Sequence, residues 1–241
     1  SVPIAGDTFI AGLSNMATTK NSLPIYRHDG VLATVTGLTD PSTNKKTGNM
    51  LQTNFMNSEV EPHTALKSGE DSKVCFTCAL SSIPNGGNGD CYVLVFQGPL
   101  SVYRAVKNLP TETAPDLPEK PVRLGAYGDP TAVPIGVLNR LVAPTKAFPK
   151  GRPSTGYTHA WRRVKKEYAS LLMASVDSES EARQAQALGY RTYRVLPTED
   201  TPLMANEILC PHTGPKQVKC VDCMLCSGNR SKAKNIAVVK V

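Results

Sequence analysis

Four of the seven cysteines lie near the C-terminus with the spacing Cys-x9-Cys-x2-Cys-x2-Cys: Cys210, Cys220, Cys223 and Cys226. Three thiolates placed three residues apart can occupy three corners of a cubane, as in bacterial ferredoxin loops, where the fourth ligand comes from elsewhere. Cys210, which precedes Pro211, can supply that fourth thiolate. The spacing therefore predicts a 4Fe–4S iron–sulfur cluster. A zinc site is the first alternative, although zinc sites usually have two Cys-x2-Cys pairs with a spacer between them. The second alternative is that these cysteines bind no metal.

The other three cysteines, Cys75, Cys78 and Cys91, form an upstream group with the spacing Cys-x2-Cys-x12-Cys. Three ligands leave one position of a tetrahedral metal, or one iron of a cluster, open to substrate, water or S-adenosylmethionine. Alternatively, His63, Asp90 or a later cysteine completes a structural site, or one cluster draws ligands from both groups. The pattern predicts a second metal site or an extension of the first.

The cysteine count and the absence of targeting signals indicate a reducing compartment. Seven cysteines cannot all pair, so a complete disulfide framework is excluded. No secretory signal pattern is present, which favours a cytoplasmic protein. No apolar run approaches the ~20 residues of a membrane span, so no membrane partner is expected.

The chain carries 27 basic and 20 acidic residues, a formal net charge of +7. This balance suits a small anionic ligand or a polyanion such as nucleic acid. Apart from a basic tail, the basic residues are scattered except around Arg162, Arg163, Lys165 and Lys166. A solvated basic surface is the alternative, and only weak, nonspecific nucleic-acid binding is expected.

Strand and helix patterns alternate after residue 121. Strands are predicted in 121–127, 154–159, 171–176, 191–197 and 207–211, and helices in 132–144 and 178–188. The second helix begins with a capping box, Ser178-x-x-Glu181, and carries a small apolar stripe of Ala182, Ala185 and Leu188. Such alternation implies a parallel sheet. A complete (β/α)₈ barrel needs roughly 250 residues, so we expect an α/β fold with a partial or distorted TIM-barrel-like parallel sheet and a cysteine-rich C-terminal loop.

We expect a single domain over residues 1–241. Residues 1–120 form its turn-rich half with the upstream cysteines, 121–211 its repeating β/α units and 212–241 its cysteine-rich segment. In the first half, strands are predicted in 30–38 and 49–55. The stretch CYVLVF (91–96) is rich in strand formers, and a helix is predicted after Gly98-Pro99.

Ligands of parallel α/β folds bind at the carboxyl ends of the strands. The predicted strand ends carry Tyr127, Asp129, His159 and Asp177, which are therefore the candidate catalytic residues. The C-terminal cysteines are expected over the same rim. The alternatives are structural: His159 as a hydrogen-bonded core residue, Asp129 as a turn former and Asp177 as a helix cap.

Several segments in order resemble a known group of proteins: NKKTGNM, VCFTC, CYVLVFQGPLSVYRAVKN, VRLGAYGDP, TGYTHAWR, LMASVDS, GYRTYRV and CVDCMLCSG. The chain is similar over residues 44–228 to a family of uncharacterised phage and bacterial proteins, the mycobacteriophage gene-product-88-like group. The resemblance implies a phage-encoded intracellular protein in the host cytoplasm and gives no activity.

Cysteines near strand ends of an α/β half-barrel also resemble the radical S-adenosylmethionine superfamily. The Cys-x3-Cys-x2-Cys loop of that superfamily is absent, as is a clear Gly-Gly-Glu-type segment. These departures count against S-adenosylmethionine as a cofactor.

Three functions compete at this point. The first is redox or radical-type chemistry by an iron–sulfur protein, with a bound ligand at the strand-end rim. The second is a zinc-stabilised nucleic-acid-binding protein, and the third is a structural metalloprotein without catalysis.

Overall fold

A computed structural model describes residues 20–42, 44–143, 153–229 and 232–239. One nine-stranded sheet runs through this part of the chain, in the order β1-β2-β3-β4-β5-β6-β7-β9-β8. The strands are β1 (Ser22–His28), β2 (Val31–Thr36), β3 (Leu51–Asn57), β4 (Val122–Tyr127), β5 (Ser154–Thr158), β6 (Met173–Val176), β7 (Thr192–Leu196), β8 (Glu207–Leu209) and β9 (Asn235–Val239).

The first three strands pair antiparallel and every later pair is parallel. The sheet is open, with β1 and β8 at its edges. The fold is therefore α/β with a mostly parallel sheet, and both halves of the chain contribute strands to it.

Six helices are described: α1 (Pro62–Ser68), α2 (Ser72–Cys75), α3 (Gly98–Val106), α4 (Ile135–Val142), α5 (Glu179–Ala187) and α6 (Cys220–Cys223). Successive side chains of a strand point to opposite faces of the sheet, and buried side chains occur on both faces. Both faces of the sheet are therefore covered. One face packs against α4 and α5. The opposite face packs against α3 at one end and against residues of the C-terminal cysteine segment at the other.

Helix α5 begins as its sequence predicts. The Ser178 hydroxyl accepts from the Glu181 amide at 3.2 Å, as expected for an N-cap. Ala182 and Ala185 are fully buried against the sheet, which confirms the small apolar stripe. Leu188 was expected in the same stripe, but its side chain is 48% exposed because the helix ends one residue earlier.

The predicted strands β2 to β8 are present, but the strand expected in residues 91–96 is not. This segment contains a turn and pairs with no strand. Val95 is buried beside α3, whereas Tyr92, Leu94 and Phe96 are exposed. The apolar residues of this segment therefore pack on one side only, and no neighbouring strand forms a β-ladder with it.

Arg194, on β7, has an internal anionic partner. Its guanidinium donates to both carboxylate oxygens of Glu207, at 2.9 and 2.6 Å, and to the Pro202 carbonyl at 2.9 Å. Both members of the ion pair are buried. This arginine therefore ties β7 to β8 and is not available for an external anion.

No helix in the described ranges is long and apolar enough to cross a membrane.

Candidate metal centres

The Cys-x2-Cys-x2-Cys run forms a single helical turn followed by a reversal of the chain. Helix α6 spans Cys220–Cys223, and the Met224 amide donates to the Cys220 carbonyl at 2.9 Å. Met224 then adopts the left-handed conformation (φ 50°), which is uncommon for a residue with a side chain. Its side chain is only 1% exposed, so burial helps to hold the reversal that precedes Cys226.

Backbone hydrogen bonds attach this segment to the sheet. The Cys220 amide donates to the Lys46 carbonyl (2.9 Å), the Gly156 amide donates to the Cys226 carbonyl (3.0 Å), and the Cys210 amide donates to a carbonyl of β9 (2.8 Å). Lys46 precedes the amino end of β3. The C-terminal cysteines therefore lie across one face of the sheet, and not over the carboxyl-end rim where they were expected.

A buried arginine holds the same segment from the other side. The guanidinium of Arg191 donates to the carbonyl oxygens of Leu225 (2.8 Å), Ser227 (2.5 Å) and Ala233 (3.0 Å), and also to that of Lys234. Its planar fork of donors suits several carbonyls at once. One side chain thus joins the cysteine segment to the approach to β9.

Two of the C-terminal cysteines pack beside a tyrosine. Cys210 and Cys226 belong to one cluster with Tyr157 and with Ile236 of β9. Burial raises the pKa of Cys226 to about 12; the Tyr157 hydroxyl acts in the opposite direction, and the other three cysteines raise the pKa further. Cys220 and Cys223 lie on the helical turn α6 that precedes Cys226.

A second tyrosine extends this aromatic wall. The rings of Tyr157 and Tyr193 lie 4.5 Å apart between centroids and are tilted by 51°. Burial raises the pKa of Tyr193, and the charges of Cys226 and Cys210 raise it further. Both phenols are therefore neutral, and Tyr157 acts as a hydrogen-bond donor beside the sulfurs.

The upstream cysteines lie at a different place, beyond the carboxyl ends of β3 and β4. Helix α2 ends at Cys75, and Phe76 follows with a φ of 49°. The Cys78 amide donates to the Cys75 carbonyl, and the Ser81 amide donates to the Cys78 carbonyl, each at 3.0 Å. Two successive turns thus bring Cys75 and Cys78 onto one short loop.

Burial and nearby backbone amides have opposite effects on two of the upstream thiols. Burial raises the pKa of Cys78 to about 11, while the backbone of Leu80 and Ser81 acts in the opposite direction. Burial also raises the pKa of Cys91, and the Val93 amide opposes this shift in the same way. Donors of this kind stabilise a thiolate once a metal has displaced its proton.

Cys75 is the most deeply placed of the three. Burial raises its pKa strongly, and the charges of Asp71, Cys78, Cys91 and Asp129 raise it further. Asp71 and Asp129 are both buried, so they help to keep the Cys75 thiol protonated.

Neither group is arranged as a finished site for one ion. In the ranges the structure covers, no three His, Cys, Asp or Glu side chains are placed to hold a metal ion. All seven cysteines are free thiols. A single ion needs every donor about 2.3 Å from one point, whereas a cubane places each thiolate on a different iron.

Buried polar atoms without a partner accompany both cysteine groups. Within the described residues these include Ser81 Oγ, His212 Nδ1 and Ser227 Oγ. Each of the three residues lies within three positions of a cysteine. Buried polar atoms normally find a partner, and the sulfurs of a bound cluster would accept hydrogen bonds from such groups. Ser227 Oγ, one residue from Cys226, is the unpartnered donor that an iron–sulfur group at the C-terminal cysteines would use.

Two of the predicted rim residues adjoin the upstream cysteines. Tyr127 ends β4 and is 3% exposed; burial raises its pKa, and the charges of Cys75 and Asp71 raise it further. The Asp129 amide donates to the Val74 carbonyl at 2.7 Å. These contacts place both residues beside the upstream group at the carboxyl-end rim.

Asp129 accepts four hydrogen bonds. One oxygen accepts from the amide and hydroxyl of Thr131, at 3.0 and 2.7 Å. The other accepts from the Thr158 hydroxyl and the His159 amide, each at 2.9 Å. The carboxylate thereby joins the ends of β4 and β5, which is the turn-forming role considered for it.

The other two rim residues differ in exposure. His159 is half-buried and uses its backbone amide toward Asp129. Asp177 is exposed, and its amide donates to a carboxylate oxygen of Glu181 at the start of α5. The structure thus brings Asp129 and His159 together, while Asp177 belongs to the beginning of a helix.

Three residues of these sites were missed at the sequence level: Asp71, Tyr157 and Arg191. Asp71 is fully buried beside Cys75, and its carboxylate accepts from the Ser82 hydroxyl (2.6 Å) and amide (3.2 Å). Asp71 lies only four residues before Cys75, which is a usable signal. For Tyr157 and Arg191 the partners are distant in sequence, and no local pattern indicates them.

No family model, curated protein or solved structure matches this chain.

Proposed function

We propose that this protein is an iron–sulfur redox protein whose C-terminal cysteines hold a 4Fe–4S cluster. The ligands would be Cys210, Cys220, Cys223 and Cys226. The observation that carries the proposal is the packing of Cys210 and Cys226 in one cluster with Tyr157, directly after the helical turn that bears Cys220 and Cys223. With four cysteine ligands such a cluster is closed, and a closed cluster accepts and donates electrons without binding substrate.

The surroundings support this choice over a solvent-exposed zinc knuckle. Tyr193 and the β9 residues Ile236 and Val238 form an apolar wall beside the cysteines. Low polarity around a cluster and hydrogen bonds to its sulfurs are the properties that set its reduction potential. The proposal includes a cytoplasmic location, because a reducing compartment keeps the thiols available for metal binding. It also includes a phage-encoded protein, as the family resemblance implies, and a sheet that curves as part of a barrel.

The test is metal and sulfide analysis of full-length protein purified without oxygen. We expect a brown protein with about four irons and four sulfides for each cluster. The Cys223→Ala variant should lose the iron of this cluster, because it removes one of its four thiolates. Colourless protein with stoichiometric zinc would contradict the proposal, as would a Cys223→Ala variant with unchanged iron.

Two conservative variants distinguish a side chain that contacts the cluster from one that affects only the stability of the protein. Ser227→Ala removes an unpartnered buried hydroxyl next to Cys226, and Thr34→Val removes another within β2. Removal of an unpaired polar group is close to neutral for stability. Only Ser227→Ala should alter the visible spectrum or the potential of the cluster; equal spectra for both variants would contradict the contact.

A further inference from the structure

The surface around residues 83–96 is poor in charge and rich in exposed apolar side chains. Residues 74–103 carry a single charged side chain, Asp90, although 20% of the whole chain is charged. Seven large apolar side chains are exposed in the described part of the chain, and four of them lie within residues 83–96. These four residues form the apolar patch: Ile83, Tyr92, Leu94 and Phe96.

Alternate residues of the segment before α3 have opposite surroundings. Val93 and Val95 pack against the cluster that α3 forms with β2 and β3. Tyr92, Leu94 and Phe96 are 75%, 54% and 57% exposed. One side of the segment is therefore fixed on the sheet, and its other side presents three large apolar side chains to solvent.

Ile83 belongs to the same surface because the loop that carries it folds back on itself. The Gly89 amide donates to the Ser81 carbonyl at 2.9 Å, which closes the loop. A Cβ atom at Gly89 would lie 3.5 Å from Cγ1 of Ile83. The isoleucine, which is 72% exposed, therefore lies beside the chain just before Tyr92.

The area of the apolar patch is that of one half of a small symmetric interface. A fully buried aromatic side chain covers about 150–250 Å², so the four side chains at these exposures present about 500 Å². The largest apolar patch of a typical monomer is of this size and is often functional. Two copies of the patch would bury about 1,000 Å² in total, which is the area at which specific protein interfaces begin.

The distribution of charge favours a second copy of the chain as the occupant of the patch. With a net charge of +7, two copies repel each other, and they approach most easily through a surface that lacks charge. Residues 74–103 contain no lysine or arginine, which a nucleic acid or an anionic membrane would require. Symmetric dimers are also the commonest soluble oligomers, and their two-fold axis places one patch against its own copy.

We infer that this protein forms a two-fold symmetric dimer through the apolar patch. The aromatic rings and the leucine of one copy pack against those of the other, and Ile83 lies at the border of the contact. The dimer does not depend on a bound metal, because none of the four side chains is a metal ligand.

The experiment measures the mass of the full-length chain by sedimentation equilibrium at several protein concentrations. The protein is purified without oxygen and kept reduced, so that no disulfide joins two copies. We expect wild type to dimerise as its concentration rises. Leu94→Asp and Tyr92→Asp each place a carboxylate in the contact and near its own copy, and each should weaken the dimer at least about tenfold. Leu188→Asp is the matched control, because Leu188 is also an exposed leucine but lies at the end of α5, and its dissociation constant should equal that of wild type.

Three results would overturn the inference. The first is a wild-type chain that stays monomeric at every concentration, including one that binds neutral lipid vesicles through Leu94, because the patch would then serve a membrane. The second is a dimer that both patch variants leave unchanged, and the third is equal weakening by Leu188→Asp. If Leu94→Asp does not fold, Tyr92→Asp decides, since its side chain is the most exposed of the four.

The iron content of the same samples tests the proposed function separately. A dimer without iron would support this inference and contradict the cluster. A monomer with about four irons would contradict this inference and leave the cluster intact.

Discussion

At the scale of single residues, both candidate centres depend on donors directed at sulfur. The Tyr157 hydroxyl lowers the pKa of Cys226, and the backbone of Leu80 and of Val93 lowers those of Cys78 and Cys91, each against the effect of burial. A thiolate that accepts such bonds carries less negative charge toward the metal. The protein can therefore adjust a cluster's potential without changing any ligand.

The first prediction concerns Tyr157. In Tyr157→Phe the hydrogen bond to Cys226 is lost while the ring remains against Tyr193. A hydrogen bond favours the reduced, more negative cluster, so its loss should lower the reduction potential. A net hydrogen bond of about 1 kcal/mol corresponds to roughly 40 mV for one electron. Protein-film voltammetry measures the shift, with Tyr193→Phe as the control; an unchanged potential in Tyr157→Phe would contradict the contact.

A second prediction separates two rim residues. Asp129→Asn replaces an acceptor of four hydrogen bonds with a group that presents two donors, and should cost about 1–3 kcal/mol of unfolding free energy. His159→Ala keeps the backbone amide that Asp129 uses and should cost less than about 1 kcal/mol. Urea denaturation checks both values. A large loss of stability in His159→Ala would show a structural histidine.

At the scale of elements, local sequence signals predicted the helices and strands better than the contacts between them. The Ser178 cap, the stripe of Ala182 and Ala185, and the strand before His159 are all present. Each depends on residues close in sequence. Residues 91–96 are rich in strand formers, yet a strand also needs a neighbouring strand to pair with, which the local sequence does not specify.

Arg191 is the clearest example of a contact that local pattern cannot predict. It joins Leu225, Ser227, Ala233 and Lys234, all of which lie beyond the following two strands in sequence. An arginine next to a strand has no distinctive spacing. Its role follows only from tertiary structure, which is also why the position of the C-terminal cysteines over the sheet face was not foreseen.

The third prediction tests this contact. Arg191→Lys keeps the charge but cannot reach four carbonyls with one compact ammonium group. Carbonyls left buried without donors should cost about 2–4 kcal/mol, and the iron of the C-terminal cluster should be lost faster to a chelator. Arg183→Lys is the matched control, because Arg183 forms an exposed pair with Glu179 and should change stability by less than about 0.5 kcal/mol. Equal chelation rates would contradict the role of Arg191.

At the scale of the whole molecule, the alternation of elements predicted the class of fold. Parallel pairing from β3 onward agrees with the pattern of the sequence. The antiparallel strand β1 and the return of the chain through β9 between β7 and β8 were not predicted. Strand order depends on which buried surfaces fit together, and short apolar runs do not encode that choice.

The fourth prediction concerns proton release on metal binding. Burial raises the pKa of Cys78 to about 11 and that of Cys226 to about 12, so both thiols are protonated in the metal-free protein at pH 7. Metal ligation requires thiolates, so each ligand must lose a proton. Reconstitution with metal in weak buffer should acidify the solution, which a pH electrode would record. The apparent metal affinity should rise between pH 6 and pH 9, which competition with a chelator would measure. Affinity independent of pH would contradict cysteine ligation.

The last prediction concerns the net charge of +7 and nucleic acid. Arg162 already donates to Glu181 at 2.9 Å and lies 3.8 Å from the centre of the Trp161 ring, so part of the basic cluster is neutralised within the protein. We therefore expect weak binding to DNA or RNA that falls steeply as salt rises, because only phosphate contacts and counterion release contribute. Fluorescence anisotropy with a random-sequence oligonucleotide at two salt concentrations measures this, and Arg162→Ala with Arg163→Ala should lower affinity only slightly. Tight binding at physiological salt that the paired substitution abolishes would instead favour a zinc-stabilised nucleic-acid-binding protein, since a specific interface must then include this surface.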